Sequence, residues 1–178
     1  MSSQKKAPEV ILGIDPGLAD CGWGVIKKIS PNNSRLQRRD AFEVVDFGSI
    51  KTSSKDPLTI RLSELYEKMQ GVIQKHKPDA VGIEELFFGK NAKTAMMVGE
   101  ARGVVMLLLA QNSFSPVEFK PAEIKLALSG YGNADKKQMQ EMVKLFLKLE
   151  KIPKSDDAAD ALAVAITLAV TKRFRNIT

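Results

Sequence analysis

The sequence predicts an α/β protein built on a five-stranded mixed sheet with helices on both faces. Three observations point there. The first fifty positions carry short apolar runs broken by turn residues, "VILGIDPG", "CGWGVIKKI" and "FEVVDFGSI". At Pro57 the apolar period changes from that of a strand to that of a helix. Beyond it, short apolar runs alternate with helical stretches, the order that sets parallel strands side by side through helical crossovers.

The first run ends on Asp-Pro-Gly, a turn signal, and "CGWGVIKKI" resumes it after "LAD", so the two read as a β-hairpin. "FEVVDFGSI" extends the pair to an antiparallel meander, after a polar, basic connection "SPNNSRLQRRD" that is either a long loop or a ragged strand pair. Leu58, Leu62, Leu65, Met69 and Val72 then recur at spacings of four and three, as an amphipathic helix requires. "KPD" stops that helix, and "AVGIE" is a strand with both faces buried. "ELFFGKN" is a loop rich in aromatics. "AKTAMMVGEARGVVMLLLAQ" is a helix apolar on most sides towards its end, as expected of one packed on both faces. "PVEF" is the fifth strand, and "PAEIKLALSG" is a short helix with Pro at its start and Gly at its end. "YGNADKK" is a turn, "KQMQEMVKLFLKLE" an amphipathic helix, and "KSDDAADALAVAITLAV" opens the last helix. No repeat, low-complexity segment or linker divides the 178 residues, which are enough for one core.

A hydrophobic fraction of 44% and a charged fraction of 27% are those of an ordinary soluble globular protein. The one cysteine, Cys21, cannot form an intrachain disulfide, so nothing signals an oxidising compartment. The polar start "MSSQKKAPEV" offers no signal peptide, and no apolar stretch suits a membrane span. A cytoplasmic protein without membrane contact is the expectation. Lys plus Arg number 27 against 21 Asp plus Glu, a net charge of +6. That excess is compatible with a polyanionic partner without requiring one, and it widens if some acids are reserved as metal ligands.

Several acids stand where apolar elements stop or start. Asp15 ends the first strand, Glu84 ends the fourth, and Asp156, Asp157 and Asp160 open the last helix. Ligand sites in α/β sheets gather at such ends. Residues three or four apart share a helix face, so Asp160 can pair with Asp157 or with Asp156, and geometry leaves both open. With Ser155 as N-cap, the helix dipole accounts for Asp156 and Asp157 in the first turn, at about 0.3–1 kcal/mol each. It does not account for Asp160, which runs directly into "ALAVAITLAV"; a carboxylate beside a buried face costs several kcal/mol unless compensated. Asp15 before Pro-Gly could be a plain turn residue, and Glu84 with Glu85 a solvated strand end. Four acids gathered together would repel, and a divalent ion relieves that most cheaply. Hard oxygen ligands suit Mg²⁺ or Mn²⁺, and two such ions are the known arrangement for in-line attack on a phosphodiester. One histidine and one cysteine supply a zinc site poorly.

"ILGIDPGLADCGWGVI", "VGIEELFFGKNAKTA…GEARGV", "PAEIKLALSGYGNADKKQM" and "DDAADALAVAI" together closely resemble the RuvC family of crossover junction endodeoxyribonucleases, the bacterial Holliday junction resolvases. The likeness runs from about Val10 to the last helix, with four blocks in the family's order and spacing. It implies a ribonuclease-H-like fold: a flexible basic N-terminus over 1–9, then a single nuclease domain over 10–175. It also implies a homodimer that nicks two opposed strands of four-way junction DNA, two Mg²⁺ ions per site with Mn²⁺ as substitute, and a branch-migration motor complex as partner. By position, the catalytic and metal-binding tetrad falls on Asp15, Glu84, Asp157 and Asp160, the "DAAD" spacing selecting Asp157 over Asp156. The resemblance places a base-stacking aromatic at Phe87, where such a wedge contributes about 1–3 kcal/mol. It places basic groups near the scissile phosphate at Lys125 and Lys136; Lys90, Lys93, Lys137 and Arg102 are candidates by proximity. Phe87 could instead be a core aromatic, and the lysines plain solvated charges. Three rival readings are an actin-like or sugar-kinase ATPase, suggested by "GIDPGLADCGWGVI", a monomeric relative acting on other nucleic acid, and a junction binder without catalysis.

Overall fold

The computed structural model describes residues 9–29, 41–86 and 92–175. Five strands and five helices follow in the order β1 (Val10–Asp15), β2 (Asp20–Ile29), β3 (Ala41–Lys51), α1 (Leu58–His76), β4 (Ala80–Glu84), α2 (Ala92–Gln111), β5 (Val117–Phe119), α3 (Pro121–Ser129), α4 (Lys136–Leu147) and α5 (Asp156–Arg175). The sheet order is β3-β2-β1-β4-β5. The first three strands pair antiparallel, while β4 runs parallel to both β1 and β5. This is the meander continued by crossovers that the sequence predicts, with helices on both faces.

Each face has its own core. Leu12, Ile14, Val81 and Ile83 pack against Leu65 and Met69 of α1 and Val105 and Leu108 of α2. On the other face Ile11 and Ile26 meet Leu162, Ile166 and Leu168 of α5, with Ile124 of α3 and Val143 of α4 alongside. Full burial of a Leu or Ile side chain contributes about 1.5–3 kcal/mol, so the all-buried run of α5 from Ala161 to Ala169 anchors that layer. Alanines in the run keep the helix close to the sheet. Gly130 sits at φ 82° beyond the end of α3, where the left-handed backbone favours glycine.

Three expectations change. The buried stripe of α1 is Arg61, Leu65, Met69 and Ile73, whereas Leu58 is exposed. A reading that follows apolar residues skips Arg61 because its charge disguises a core position. Helix α2 is not packed on both faces: Met96 and Leu107 are 64% and 56% exposed, and Gly103 between them meets no neighbour. Lys136, read as part of a turn, is the first residue of α4. Asp135 caps that helix, accepting from Gln138 N–H at 2.8 Å, while Asp135 N–H donates to the Gln138 side chain.

Candidate active site

Asp15 and Glu84 are brought together by strand pairing. β1 and β4 are parallel neighbours with Ile14 opposite Ile83, so the next residue of each strand emerges at the same edge of the sheet. Both side chains then face the layer that α5 covers. The chain enters α5 across that edge: the Asp157 backbone lies on Gly22 of β2, and Ala161 lies on Gly13 of β1. Ser155 caps the helix, its hydroxyl accepting from Ala158 N–H at 3.3 Å. Asp157 and Asp160 in the opening turns therefore face the ends of β1 and β4.

The electrostatics report this crowding. Asp15 is pushed up to about 8, first by burial, then by the carboxylates of Glu84, Asp160 and Asp157 and by its hydrogen bond with Glu84. Burial and Asp160 also raise Glu84, partly offset by that hydrogen bond and by Lys125. Asp160 is raised by burial, with Lys136 opposing and Asp157 and Asp156 adding. Asp157 is raised by burial and then by Asp20, a fifth acid at the start of β2. At neutral pH Asp15 and Glu84 thus share a proton that solvated carboxylates would have lost.

Asp156 points elsewhere. Lys136 pairs with it at 2.8 Å and Gln140 donates to it at 2.8 Å, which holds its pKa below the usual carboxylate range. Lys136 and Lys125 rim a cleft of about 220 Å³ floored by Ile124 and Met139, with Glu84 and Asp160 at one end. Both lysines thus line the same cleft as Glu84 and Asp160. Lys137 is exposed on the same turn, outside the lining of that cleft. Arg102 is engaged by Glu118 of β5. Phe87 and Lys90, the stretch 30–40 and residues 1–8 lie outside the described residues, as does the side chain of Lys93. Cys21 is buried and its thiol is pushed up to about 12, chiefly by burial, so it is a neutral packing group.

Asp20 is an acid of this region that the apolar pattern does not single out: in sequence it ends the "LAD" turn, yet it pairs with Lys51 across the β2–β3 ladder at 3.6 Å and leaves one buried carboxylate oxygen without a partner. An acid at the first position of a strand whose turn begins with another acid is the signal that could have found it.

Among the described residues no three His, Cys, Asp or Glu side chains stand ready-assembled around a cation. The acids interact as pairs, Asp15 with Glu84 and Asp20 with Asp157. The donor set still fits a hard divalent ion: it is all oxygen, partly buried, and holds a proton that a cation would displace.

A family model described as crossover junction endodeoxyribonuclease RuvC matches residues 11–168. Proteins of that description from Caldicellulosiruptor saccharolyticus and Alkaliphilus metalliredigens are similar to this chain. The first is 50% identical over 156 residues, covering 88% of this chain and 89% of the relative. The second is 46% identical over 168 residues, covering 94% and 97%. The solved structure of Thermus thermophilus RuvC superposes with a TM-score of 0.82 at 30% identity, covering 93% of this chain and 96% of that one. The same protein in complex with Holliday junction substrate gives 0.79 at 28% identity, with the same coverage. The five-stranded architecture is thereby ribonuclease-H-like.

Proposed function

The chain belongs to the RuvC family of crossover junction endodeoxyribonucleases, and from that premise we propose how its own residues do the work. It is a metal-dependent nuclease that resolves Holliday junctions in DNA recombination and repair. Asp15, Glu84, Asp157 and Asp160 are its metal ligands and catalytic residues, holding two Mg²⁺ ions for which Mn²⁺ substitutes. The observation that carries this is the Asp15–Glu84 pair, two carboxylates on adjacent strand ends at raised pKa with Asp160 beside them. Held there, ions of this kind would supply an activated water and stabilise the departing 3′ oxygen, leaving a 5′-phosphate.

The chain's residues do the rest. On metal loading Asp15 and Glu84 would give up their shared proton, and the acids would then hold the ions as acceptors only. Lys125 and Lys136 offset the negative charge of the site and reach the phosphates on its rim. Phe87, Lys90 and Lys137 complete the DNA contacts, Phe87 by stacking on a base. Phosphate contacts position the substrate and bring salt dependence, while junction shape selects it.

The homodimer uses α2. Met96, Gly103 and Leu107 line one exposed face of that helix, an apolar stripe that a second copy would cover. A four-way junction has a pseudo-twofold axis, and paired nicks need two equivalent sites. A branch-migration motor as partner and a cytoplasmic setting belong to the same reading. No helix among the described residues is long and apolar enough to cross a membrane.

The direct test incubates the protein with a synthetic four-way junction and with a linear duplex, with and without Mg²⁺. Paired nicks in the junction alone, and only with the ion, are expected; cleavage of the duplex at equal rate would overturn junction selectivity. Within the acid run, Asp157→Ala is expected to slow nicking beyond the roughly 10–100-fold that losing an outer-shell group costs. Asp156→Ala should keep most activity, because its partners are Lys136 and Gln140. An inactive Asp156→Ala beside an active Asp157→Ala would reverse that assignment.

A further inference from the structure

Arg61 is a charged residue in a core stripe, 9% exposed, and among the described residues no carboxylate pairs with it. Its aliphatic stem fills a position in the stripe that an apolar side chain could also fill, so what distinguishes arginine here is the hydrogen bond its head makes. Its Nε donates to the hydroxyl of Thr52 at 2.9 Å. That hydroxyl in turn donates to the carbonyl of Leu18 at 2.5 Å. A threonine hydroxyl has one proton to give, and an Arg donor on its lone pair leaves that proton free to aim only at the carbonyl. Thr52 also donates its backbone N–H to the next carbonyl, that of Ala19, at 3.2 Å. One residue at the end of β3 thus clamps two consecutive carbonyls, and α1 fixes the clamp from behind.

The clamped segment is the turn from Asp15 to Asp20. At one end is the acid that pairs with Glu84, at the other the acid that faces Asp157. The turn has little slack of its own: the Leu18 side chain is 3% exposed, and a Cβ on Gly17 would lie 2.1 Å from the Asp20 carbonyl oxygen. Lys51, adjacent to Thr52, pairs with Asp20 from the same strand. The clamp thus fixes the backbone between the two acids from the β3 side, independently of the pairing among the acids themselves.

We propose that Arg61 and Thr52 are positioning residues for the acid site, acting through the Leu18 and Ala19 carbonyls to hold Asp15 and Asp20 within reach of a divalent cation. The proposal rests on the metal-site reading above. It assigns to α1, a helix that contributes no acid to the site, a share in cation affinity.

The test measures Mn²⁺ binding by the metal-free full chain, from the electron paramagnetic resonance signal of free Mn²⁺, together with the Mn²⁺ dependence of junction nicking. Thr52→Val keeps the shape and removes the hydroxyl. It is expected to raise the Mn²⁺ midpoint about tenfold in both measurements, while Thr52→Ser stays within about twofold of the parent. Arg61→Lys keeps the charge without the Nε donor and should shift the midpoint in the same direction; it carries the test if Thr52→Val does not fold. A Thr52→Val midpoint equal to that of the parent, whatever its melting temperature, overturns the proposal and leaves the metal-site reading standing. A parent chain that binds no Mn²⁺, or an Asp15→Asn variant that binds and nicks like the parent, brings down that reading and this proposal with it.

Discussion

Asp15→Asn is expected to abolish nicking while making the metal-free protein more stable. The loss should reach at least about a thousandfold, equivalent to about 4 kcal/mol of transition-state stabilisation. The stability gain follows from proton linkage. Asp15 is held at about 8 in the folded chain, whereas an unfolded aspartate titrates near its ordinary value of about 3.9. The folded state therefore binds the proton more tightly. The stability this contributes is fully present below the unfolded pKa and is lost as pH rises through the folded one. Glu84, Asp157 and Asp160 are raised as well and act with the same sign. Asp46 and Asp156, whose pKa values are lowered, contribute stability that is lost only as pH falls through still lower values, outside the window from 5.5 to 8.

Without metal, the parent chain should melt at progressively higher temperature as pH is lowered from about 8 to about 5.5. Asn carries no charge at any of these values, so the variant should show a flatter profile and a higher melting temperature at pH 8, at about 2–4 °C per kcal/mol for a chain of this length. Mg²⁺ should raise the parent's melting temperature at pH 8 by the same logic, with the cation in place of the proton, and raise the variant's far less. Junction affinity should hold or tighten, since the substitution removes negative charge facing phosphate. Scanning calorimetry at three pH values, with and without Mg²⁺, reads all of this. A variant that nicks at near the parental rate removes Asp15 from the site, and one that melts lower than the parent at pH 8 contradicts the raised pKa.

Much of this site could be read in the sequence because its acids sit at punctuation. Asp15 precedes Pro-Gly, Glu84 ends a five-residue apolar run, and Asp160 interrupts a buried helix where no cap or dipole explains it. Local grammar exposes such residues, as it exposed the strands and the helix ends at Pro121 and Gly130. Tertiary partners are another matter. Asp20 looks like a turn residue until β3 is laid beside β2 and Lys51 comes opposite. Arg61 looks like the polar face of α1 until the hydroxyl of Thr52, nine residues earlier, is seen to accept its Nε–H. Whether α2 is a buried helix or an interface helix is a question about what covers it, and composition is the same in either case. Asp156 and Asp157 differ only in the direction they face, which the register of α5 on the sheet decides.

That register is set by glycines in the strands, and Gly22→Ala is expected to damage fold and site together. A Cβ on Gly22 would lie 1.9 Å from the Asp157 carbonyl oxygen and 2.4 Å from its carbonyl carbon. On Gly13 it would lie 2.1 Å from the Ala161 carbonyl oxygen and 2.5 Å from the Ala165 nitrogen. These are backbone atoms, so no rotamer change relieves the contact, and the helix itself must lift. Lifting α5 opens the buried layer from Ala158 to Ala169 and carries Asp157 and Asp160 away from Asp15 and Glu84. Overpacking a core costs about 1–3 kcal/mol where side chains can adjust, and backbone against backbone should reach the top of that range or exceed it. At about 2–4 °C per kcal/mol, either substitution should lower the melting temperature by about 6 °C or more. Gly71→Ala supplies the contrast, because Gly71 lies inside α1 with nothing within 4 Å of its added Cβ. There the helix should gain about 0.5–1 kcal/mol. If the three substitutions shifted melting alike, the close approach of α5 to the sheet would be wrong. If Gly22→Ala melted low yet kept the parental Mn²⁺ midpoint, Asp157 would owe its place to something other than the seat of α5 on β2.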